Sequence, residues 1–381
     1  MKKVLILMAE RTGTGHKSAA NAIEKELKSL GYETKQIDCF NMLKGFLGKM
    51  LENSYIPITT KCPILFYMPY LLFSQAFPSM LHFFLYINSK KRFKKEFDEY
   101  KPDLIISVHS MFTKAISKII KKENLNIPFY IDVIDLVKPP RVWMDKRAEI
   151  TFVPTEEVKQ DYIRKGFEEN KIIVSGFPIR SDIERRKTPK IIEDKINILM
   201  VNPSVNLEKN IKYVKEISRL SNYFCELPGE YRKTIDINVV CGRDKRMYEA
   251  LIKEQKNGKI SEDIQIHSFV NNMNEFLENA HILLTKAGPN MMLEGERSGT
   301  AVIVTGHVQG QENKNYEYVE KNKFGFKCEN PSEIYDKLKS FIENKELDEC
   351  LKNVLNSDCS NGDKIIAKYI DEVTLGDGGK K

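Results

Sequence analysis

The chain contains 381 residues, which is enough for two domains of ordinary size with full cores. Its 60 Lys and Arg residues exceed its 53 Asp and Glu residues by seven, and this mild excess does not by itself indicate a nucleic-acid partner. Its 7 cysteines include no C-x-x-C pair, so neither a zinc site nor a disulfide framework is indicated, and reduced thiols are expected.

The amino-terminal strand and the turn after it hold the first candidate site. An apolar run at residues 4–8 follows two lysines directly, without the longer apolar segment of a secretory signal, so we expect a protein of the cytoplasmic side. Gly13 and Gly15 permit a tight turn and close approach by a ligand, and the start of the next helix favours an anion or an oxygen-rich group. His16 lies where strand gives way to helix, and it either caps the helix or performs chemistry.

Two nucleotide-binding motifs resemble this turn without matching it. A phosphate-binding P-loop requires lysine directly after its last glycine, where this chain has His16. A dinucleotide fingerprint requires a third small residue, which Ser18 supplies only loosely, although Asp38 ends the next strand-like run as a ribose-binding acid would. The dinucleotide interpretation is therefore an alternative at this stage.

Strand-like runs alternate with helical patterns along the rest of the chain, which predicts parallel sheets covered by helices on both faces. These runs are residues 103–108, 128–134, 149–155 and 171–176 in the first half, and 196–201, 236–242, 264–269, 281–286 and 300–306 in the second. A charged, proline-containing stretch at 183–195 separates the two sets and is the candidate linker. We therefore predict two α/β domains with a cleft between them and ligands at the carboxyl ends of the strands.

A segment rich in apolar and aromatic residues lies in the first half. Residues 62–89 contain no Asp, Glu, Lys or Arg, and the basic sequence KKRFKK follows at 90–95. Pro63, Pro69 and Pro78 break the run into pieces too short to cross a bilayer as one helix. The segment is typical of a surface in the headgroup region of an anionic membrane, or of an insertion packed into the core. The residues predicted to contact the membrane are Phe83, Phe84, Lys90, Lys91, Arg92, Lys94 and Lys95.

The second candidate site lies at residues 281–319, which are predicted as strand, turn, helix, strand and polar loop. Gly288 belongs to the turn, and the helix after it directs N–H groups towards a ligand. Glu294 could accept hydrogen bonds from a vicinal diol such as a ribose, or it could be a solvated helix residue. Arg243 and Lys286 are available cations. The chain has no D-x-D triplet, so the usual carboxylate pair for Mg²⁺ on a nucleotide diphosphate is absent and no metal is expected.

Six motifs in this order resemble those of the monogalactosyldiacylglycerol synthase and processive diacylglycerol glucosyltransferase family, relatives of the bacterial enzyme that adds N-acetylglucosamine to lipid I. The motifs are GTGH at 13–16, SVHS at 107–110, DVIDL with VW at 132–143, VSGFPIR at 174–180, TKAGPNMMLEG at 285–295 and GQENKN at 310–315. The resemblance extends over roughly residues 3–370.

This resemblance implies an α/β protein of the GT-B fold, with two Rossmann-like doubly wound domains that face a cleft. Residues 1–187 would form the membrane-associating domain that binds the acceptor lipid, residues 188–365 the domain that binds the nucleotide-sugar donor, and residues 366–381 a helix end and flexible tail. The implied reaction is an inverting transfer from a UDP-sugar to a membrane lipid such as diacylglycerol. The UDP-sugar is a co-substrate and no separate cofactor is expected. The protein would act peripherally on the cytoplasmic face of the membrane, without a nucleic-acid partner.

The resemblance also implies roles for particular residues. His16 would be the general base, and Asp135 would be a second candidate for the base or would orient His16. Gly13, Gly15, His109 and Trp143 would face the acceptor or a phosphate. The donor site would comprise Lys286, Gly288, Asn290, Glu294, Gln311, Glu312, Asn315 and Arg243.

The chain departs from the family pattern in the donor half. Residues 201–210 contain no glycine where the family has a glycine-rich loop, and Pro289 replaces the second glycine of the family's K-P-G-G turn. Glu296 replaces a small residue. A transferase acting on a polyprenyl-diphosphate cell-wall lipid, or a non-catalytic relative that binds nucleotide sugar and lipid, is therefore an alternative.

Overall fold

The structure is a computed structural model that describes residues 2–10, 14–43, 78–204, 206–307, 312, 314–357, 359 and 361–376. The chain divides into two compact units, of which unit 1 comprises residues 1–181 and 358–381 and unit 2 comprises residues 182–357. The sequence placed these divisions after residues 187 and 365. Gly13, Gln311, residues 62–77 of the apolar segment and the tail at 377–381 lie outside the described residues.

Unit 1 is built on a parallel sheet with the strand order β2-β1-β3-β4-β5-β6 among the described residues. Its strands are β1 (Lys3–Met8), β2 (Glu33–Asp38), β3 (Leu104–Ser107), β4 (Phe129–Asp132), β5 (Ile150–Val153) and β6 (Ile172–Val174). Its first helices are α1 (Thr14–Ser29), α2 (Pro78–Tyr100), α3 (Thr113–Lys122) and α4 (Glu156–Arg164). Most of these strands are nearly continuous apolar runs because helices cover a parallel sheet on both faces.

Unit 2 repeats this architecture with the strand order β12-β11-β10-β7-β8-β9 in the described part of the chain. Its strands are β7 (Lys195–Val201), β8 (Thr234–Val240), β9 (Gln265–His267), β10 (Ile282–Lys286), β11 (Ala301–Gly306) and β12 (Gly325–Lys327). Its helices are α5 (Leu207–Glu226), α6 (Lys245–Lys256), α7 (Met273–Asn279), α8 (Pro289–Arg297), α9 (Asn315–Lys321), α10 (Ile334–Glu343) and α11 (Glu346–Asn353). All the strand pairs are parallel, as the alternation in the sequence predicted.

The last helix, α12 (Gly362–Gly376), returns to unit 1. Its residues Ile366, Ala367 and Ile370 are buried in one cluster with apolar side chains of α1, β1 and β3. The helix begins at Gly362, where a Cβ atom would lie 2.6 Å from the backbone oxygen of Gly176. Only glycine fits this close approach, so the start of α12 is seated directly on the loop after β6.

The candidate linker at 183–195 belongs to unit 2 and is anchored there by buried side chains. Ile183 is fully buried in a core cluster of unit 2, and Lys190 is 6% exposed. The Lys190 ammonium donates to the backbone oxygen of Leu277 (2.8 Å) and to the Thr300 hydroxyl (2.6 Å). The sequence suggested little to bury here because it is rich in charge, but the charged side chain of Lys190 is matched by acceptors at the end of α7.

The strand order reverses at one place in each sheet, between β1 and β3 in unit 1 and between β7 and β10 in unit 2. Open α/β sheets bind ligands at such a switch point, outside the carboxyl ends of the strands. In unit 1 this place is the turn into α1 with the loop after β3. In unit 2 it is the turns after β7 and β10. These are the turns that carry most of the predicted site residues.

Candidate active site

His16 lies in the first turn of α1 at the switch point of unit 1. Its Nδ1 atom is 2.7 Å from the backbone oxygen of Val108, which follows β3. A carbonyl oxygen can only accept, so Nδ1 carries the proton and donates it, and Nε2 is left as the basic nitrogen of a neutral ring. Burial lowers the pKa of His16 to about 4, against the smaller opposing effect of the bond to Val108. The ring is therefore neutral at pH 7 and its tautomer is fixed.

His109 and Trp143, both predicted to face the acceptor, lie close to His16. The ring centroids of His109 and His16 are 4.5 Å apart, and those of Trp143 and His16 are 6.5 Å apart. Burial, and secondarily the neighbouring His16, hold the pKa of His109 well below its usual range. Phe40 packs edge-on to the His109 ring at 5.6 Å. The structure therefore brings two neutral imidazoles and an indole together on one side of the switch point.

Asp135, the second candidate base, is joined to this group through Trp143. The indole Nε1–H donates a hydrogen bond to the Asp135 carboxylate. Gly15 lies in the first turn of α1 beside His16, half-buried. Asp38, which the dinucleotide interpretation would place on a ribose, instead accepts from the backbone N–H groups of Phe40 (2.8 Å) and Glu10 (3.2 Å). Asp38 is thus a capping residue, and its carboxylate is already occupied by backbone donors.

Asp132, at the carboxyl end of β4, was not singled out in the sequence. It is fully buried, and neither carboxylate oxygen has a hydrogen-bond partner among the residues that the structure describes. Burial raises its pKa well above the usual range, because the charged form is poorly solvated there. The apolar run that contains it is typical of a strand, and nothing in its spacing distinguishes this buried acid from Asp135, the candidate base.

The turn after β10 gathers the predicted donor residues of unit 2. The Lys286 ammonium is 2.6 Å from Oε1 of Glu312, a residue that is 9% exposed. Gly288 leaves room for this pair, since a Cβ there would lie 3.1 Å from the Lys286 nitrogen. Asn315, at the start of α9, donates through Nδ2 to the backbone oxygen of Ala287 (2.8 Å). Asn315 thus holds the turn itself in place.

The helix after this turn, α8, begins with Pro289 at its first position, where a missing N–H is harmless. Asn290 follows, half-buried. Glu294 is 5% exposed, so it is not a solvated helix residue, which was the alternative interpretation of the sequence. Glu296, the departure from the family pattern, is buried as well, and its Oε2 accepts from the Tyr318 hydroxyl at 3.0 Å.

Arg243 lies just after β8, at the same edge of the sheet. Its guanidinium carbon is 5.2 Å from the ring centroid of Phe269, which follows β9. Phe269 is 53% exposed. An exposed aromatic ring with a cation against one face is a surface on which a planar base can stack. The sequence analysis placed Phe269 at the end of the strand-like run 264–269 and gave it no role in a site, because it belongs to no motif.

The described part of the apolar segment forms α2, which carries two apolar faces. One is buried and includes Leu85 and Phe93, both 0% exposed. The other is exposed and consists of Met80, Phe83, Phe84 and Ile87, which we call the outer apolar face. Nζ of Lys118, on the adjacent α3, lies 4.8 Å from the ring centroid of Phe83. One face of the helix is therefore packed into the core, and the other leaves apolar side chains exposed.

The predicted cations of α2 differ in their surroundings. Arg92 donates to the backbone oxygens of Asn41 (2.9 Å) and Leu43 (2.6 Å) and so has a structural role. The ammonium groups of three lysines have acidic partners: Lys90 with Glu123, Lys94 with Asp98 and Lys95 with Glu99. Lys91 is exposed. Across the described ranges of the chain, every helix is too short or too polar to cross a bilayer.

Comparison with known proteins accounts for this arrangement. A family model described as monogalactosyldiacylglycerol (MGDG) synthase matches residues 16–179, and one described as glycosyl transferases group 1 matches residues 182–354. A processive diacylglycerol beta-glucosyltransferase of Bacillus cereus (strain B4264) is 24% identical over 364 residues, covering 92% of this chain and 89% of the relative. The chain belongs to the monogalactosyldiacylglycerol synthase and processive diacylglycerol glucosyltransferase family. It is a hexosyltransferase of the GT-B type, as its motifs indicated.

Further relatives of this glycosyltransferase agree with the assignment. A probable chloroplastic monogalactosyldiacylglycerol synthase of Nicotiana tabacum is 27% identical over 348 residues, covering 87% of this chain and 63% of the relative. Among solved structures, Acinetobacter baumannii MurG has a TM-score of 0.64 at 15% identity, covering 98% of this chain and all of that one. A UDP-GlcNAc 2-epimerase of Neisseria meningitidis has a TM-score of 0.58 at 14% identity, covering 98% of this chain and 100% of that one. These likenesses show the fold and confirm the predicted GT-B class.

Proposed function

We propose that this glycosyltransferase moves a sugar from a UDP-sugar to the hydroxyl group of diacylglycerol, with inversion at the anomeric carbon, at the cytoplasmic face of a membrane. The observation that carries this proposal is the hydrogen bond from His16 to Val108. It leaves a basic Nε2 on a neutral ring at the switch point of unit 1, where ligands of α/β sheets bind. Unit 1 would accept the lipid and unit 2 would hold the donor.

The proposed reaction is a single displacement. The acceptor hydroxyl oxygen forms a bond to the anomeric carbon, the bond from that carbon to the β-phosphate oxygen breaks, and UDP leaves with the electron pair. Nε2 of His16 takes the hydroxyl proton as the new bond forms. Asp135 is our second candidate, either as the base or as a residue that orients His16 through Trp143, whose indole donates to Asp135 and lies beside the His16 ring. His109 would shape the acceptor side of the site.

The donor site would use the residues around the turn after β10. The buried Glu294 would accept hydrogen bonds from the ribose diol, and Lys286 would contact the diphosphate. Because Lys286 is paired with Glu312, diphosphate binding would compete with that carboxylate for the ammonium group. Phe269 and Arg243 would receive the uracil ring. Gly288, Asn290, Gln311 and Asn315 complete the proposed site.

The acceptor requires contact with a bilayer, and the outer apolar face of α2 is suited to this. Apolar side chains that recur on one face of a helix, with cations beside them, are typical of a segment that lies in the headgroup region. Phe83 and Phe84 would enter the membrane, with Lys91 and Lys118 close to anionic headgroups. The protein would thus bind peripherally.

The experiment that tests the function is an acceptor and donor panel. The protein is incubated with UDP-glucose, UDP-galactose and UDP-N-acetylglucosamine, each with diacylglycerol or a polyprenyl diphosphate in anionic vesicles, and new lipid masses are recorded. A hexosyl-diacylglycerol product with β configuration is expected. A product on the polyprenyl lipid alone, or binding of a UDP-sugar without any product, would refute the proposal.

A further inference from the structure

The turn after β7 is the first strand-to-helix turn of unit 2, the place where a Rossmann-like fold usually binds phosphate through backbone N–H groups. At two described positions of that turn, no backbone N–H is free for a ligand. Pro203 has no N–H, and the N–H of Asn206 donates to the Ser204 hydroxyl (3.1 Å). The side chain of Asn206 in turn accepts from the backbone N–H of Lys209 (3.0 Å). A diphosphate at this switch point would therefore gain from a donor elsewhere at the same edge of the sheet.

His307 is the first residue after β11, and the structure places it at this same edge. The carbonyl of Gly306, the residue before it, accepts from the backbone N–H of Ala287 in the turn after β10 (2.6 Å). A Cβ on Gly306 would lie 3.0 Å from the backbone oxygen of Pro203 in the turn after β7. Gly306, directly before His307, therefore lies against both the turn after β7 and the turn after β10.

The imidazole of His307 is held by one ring nitrogen. Nδ1 bonds the carboxylate of Glu329, which follows β12, and Nζ of Lys327 is 3.4 Å from the same carboxylate. The hydroxyl of the buried Tyr213 lies 2.9 Å from the backbone oxygen of Thr305 and 2.7 Å from that of Cys328, which ties the two strand ends together. The strand ends that carry His307 and Glu329 are therefore held in place relative to each other.

The other ring nitrogen of His307 is accessible. The side chain is 24% exposed, and Nε2 has no partner in the described part of the chain. In the imidazolium form, in which Nδ1 donates to the Glu329 carboxylate, Nε2 also carries a proton and can donate. A charged N–H donor of this kind suits a phosphate oxygen.

We propose that His307, oriented by Glu329, donates a hydrogen bond through Nε2 to the diphosphate of the nucleotide-sugar donor and adds a contact that neither Pro203 nor Asn206 supplies through its backbone. This inference rests on the proposed function of unit 2 as the donor site. His307 is then a binding residue, and Glu329 is a positioning residue that acts through it. The histidine belongs to no motif that the sequence presented.

The test compares a diphosphate with its nucleoside. Affinities of the full chain for UDP and for uridine are measured by calorimetry for wild type, His307→Ala, His307→Gln and Glu329→Gln. We expect His307→Ala to weaken UDP binding about tenfold or more, as for a charged hydrogen bond, with uridine affinity within twofold of wild type. His307→Gln keeps an N–H donor without the charge, so it should weaken UDP binding less than His307→Ala does. Glu329→Gln should weaken UDP binding by an amount between that of wild type and that of His307→Ala.

The control is Glu333→Gln, which changes an acid of the same stretch whose partners are Lys337 (3.0 Å) and Asn330 (2.8 Å). It should leave both affinities unchanged. Equal losses for UDP and uridine in His307→Ala, or no loss for UDP, would overturn the inference. The same pairs are run with ADP and adenosine and with GDP and guanosine. A wild-type preference for another base would refute the UDP part of the proposed function, while the diphosphate comparison would still decide the role of His307.

Discussion

The side chain of His16 shows how one backbone contact prepares a group for chemistry. Donation to the Val108 carbonyl fixes the tautomer, and burial favours the neutral ring. A base must be unprotonated before it acts. Burial keeps Nε2 in that state over the physiological range, because it lowers the pKa of His16 by more than the bond to Val108 raises it. His109, whose pKa burial and the neighbouring His16 hold well below its usual range, is a second neutral imidazole beside this base.

Replacing His16 with alanine should lower kcat by about 10²-fold or more, since this is the usual contribution of a positioned general base. The affinity for UDP should change little, because the donor is assigned to unit 2. Steady-state kinetics with diacylglycerol in mixed micelles, together with calorimetry of UDP, measure both quantities. A kcat near that of wild type would remove His16 from the mechanism and leave Asp135 as the base.

The pKa of His16 also predicts the acid side of the pH profile. Activity requires the neutral ring, and protonation sets in only as the pH falls towards about 4. We therefore expect kcat/KM to stay level from pH 8 to pH 6, with circular dichroism as a check that the fold persists. A loss of activity centred near pH 6.5, the ordinary value for histidine, would contradict the proposed environment.

Glu296 is a buried acid with a different consequence, because it affects stability. Burial raises its pKa to about 7, against hydrogen bonds from Ser357 and Tyr318 and the charge of Arg185. In the unfolded chain the ordinary value is 4.5, so the folded state holds the proton more tightly. The stabilisation from this proton is complete below pH 4.5 and is lost as the pH rises through about 7.

Glu296→Gln should remove this dependence, since the amide oxygen can still accept from Tyr318 and does not titrate. A pKa raised from 4.5 to about 7 corresponds to about 3 kcal/mol, so the variant should gain about that much relative to wild type between pH 4.5 and pH 8. Urea unfolding of both proteins at the two pH values gives the difference. Parallel pH dependence in the two proteins would show that other groups are responsible.

Among the elements, α2 has two apolar faces with different surroundings. Its buried face holds it to unit 1, while Met80, Phe83, Phe84 and Ile87 are exposed at one side of the same turns. Arg92 ties the helix to the backbone after β2, so its charge is not available to test membrane binding cleanly. Lys91 and Lys118 are the better choice, because each can be changed without removing such a contact.

Phe83→Ser with Phe84→Ser should reduce binding to phosphatidylglycerol vesicles by at least tenfold, because two large exposed side chains lose their apolar environment. Lys91→Gln with Lys118→Gln should also reduce it severalfold, at about 1 kcal/mol for each charge, and this effect should disappear at high salt. Cosedimentation at two salt concentrations measures both.

The matched control is Lys253→Gln with Lys256→Gln, which removes the same charge from exposed positions of α6 in unit 2. These changes should leave vesicle binding unaltered. If all three double variants sediment like wild type, membrane docking by this face is wrong.

The elements themselves were largely predictable, since buried parallel strands leave continuous apolar runs such as that of β7. The short strand β12 was missed. It begins at Gly325, where a Cβ would lie 1.9 Å from the backbone oxygen of Val302, a constraint that only the partner strand reveals. His307 and Glu329 were missed for a similar reason, because their bond joins the ends of two adjacent strands and leaves no periodic signal. His16 could be predicted because a local turn places it.

At the scale of the whole chain, each unit is an α/β fold with its own switch point, and each switch point carries a different chemistry. Unit 1 gathers neutral aromatic and imidazole rings, whereas unit 2 gathers charged pairs and helix starts. This difference supports the assignment of the lipid to unit 1 and the nucleotide to unit 2.

Hydrogen exchange with and without UDP tests that assignment. UDP should slow amide exchange in unit 2, chiefly after β7 and β10 and at the start of α8, because ligand binding suppresses local opening. Amides of α1 and of the loop after β3 should exchange at unchanged rates. Protection of the turn that carries His16, without protection in unit 2, would reverse the proposed roles.

The return of α12 to unit 1 has a consequence for biosynthesis. Ile366 and Ile370 belong to the same buried cluster as β1, and the Tyr32 hydroxyl donates to Asp371 at 3.0 Å. Yet all of unit 2 lies between these partners in the chain. On the ribosome, unit 2 is continuous and can close its core while α12 is still being synthesised. The unit whose first strand emerges earliest is therefore the one that is completed last, and until then the α1 face of its sheet exposes apolar side chains that a chaperone can recognise.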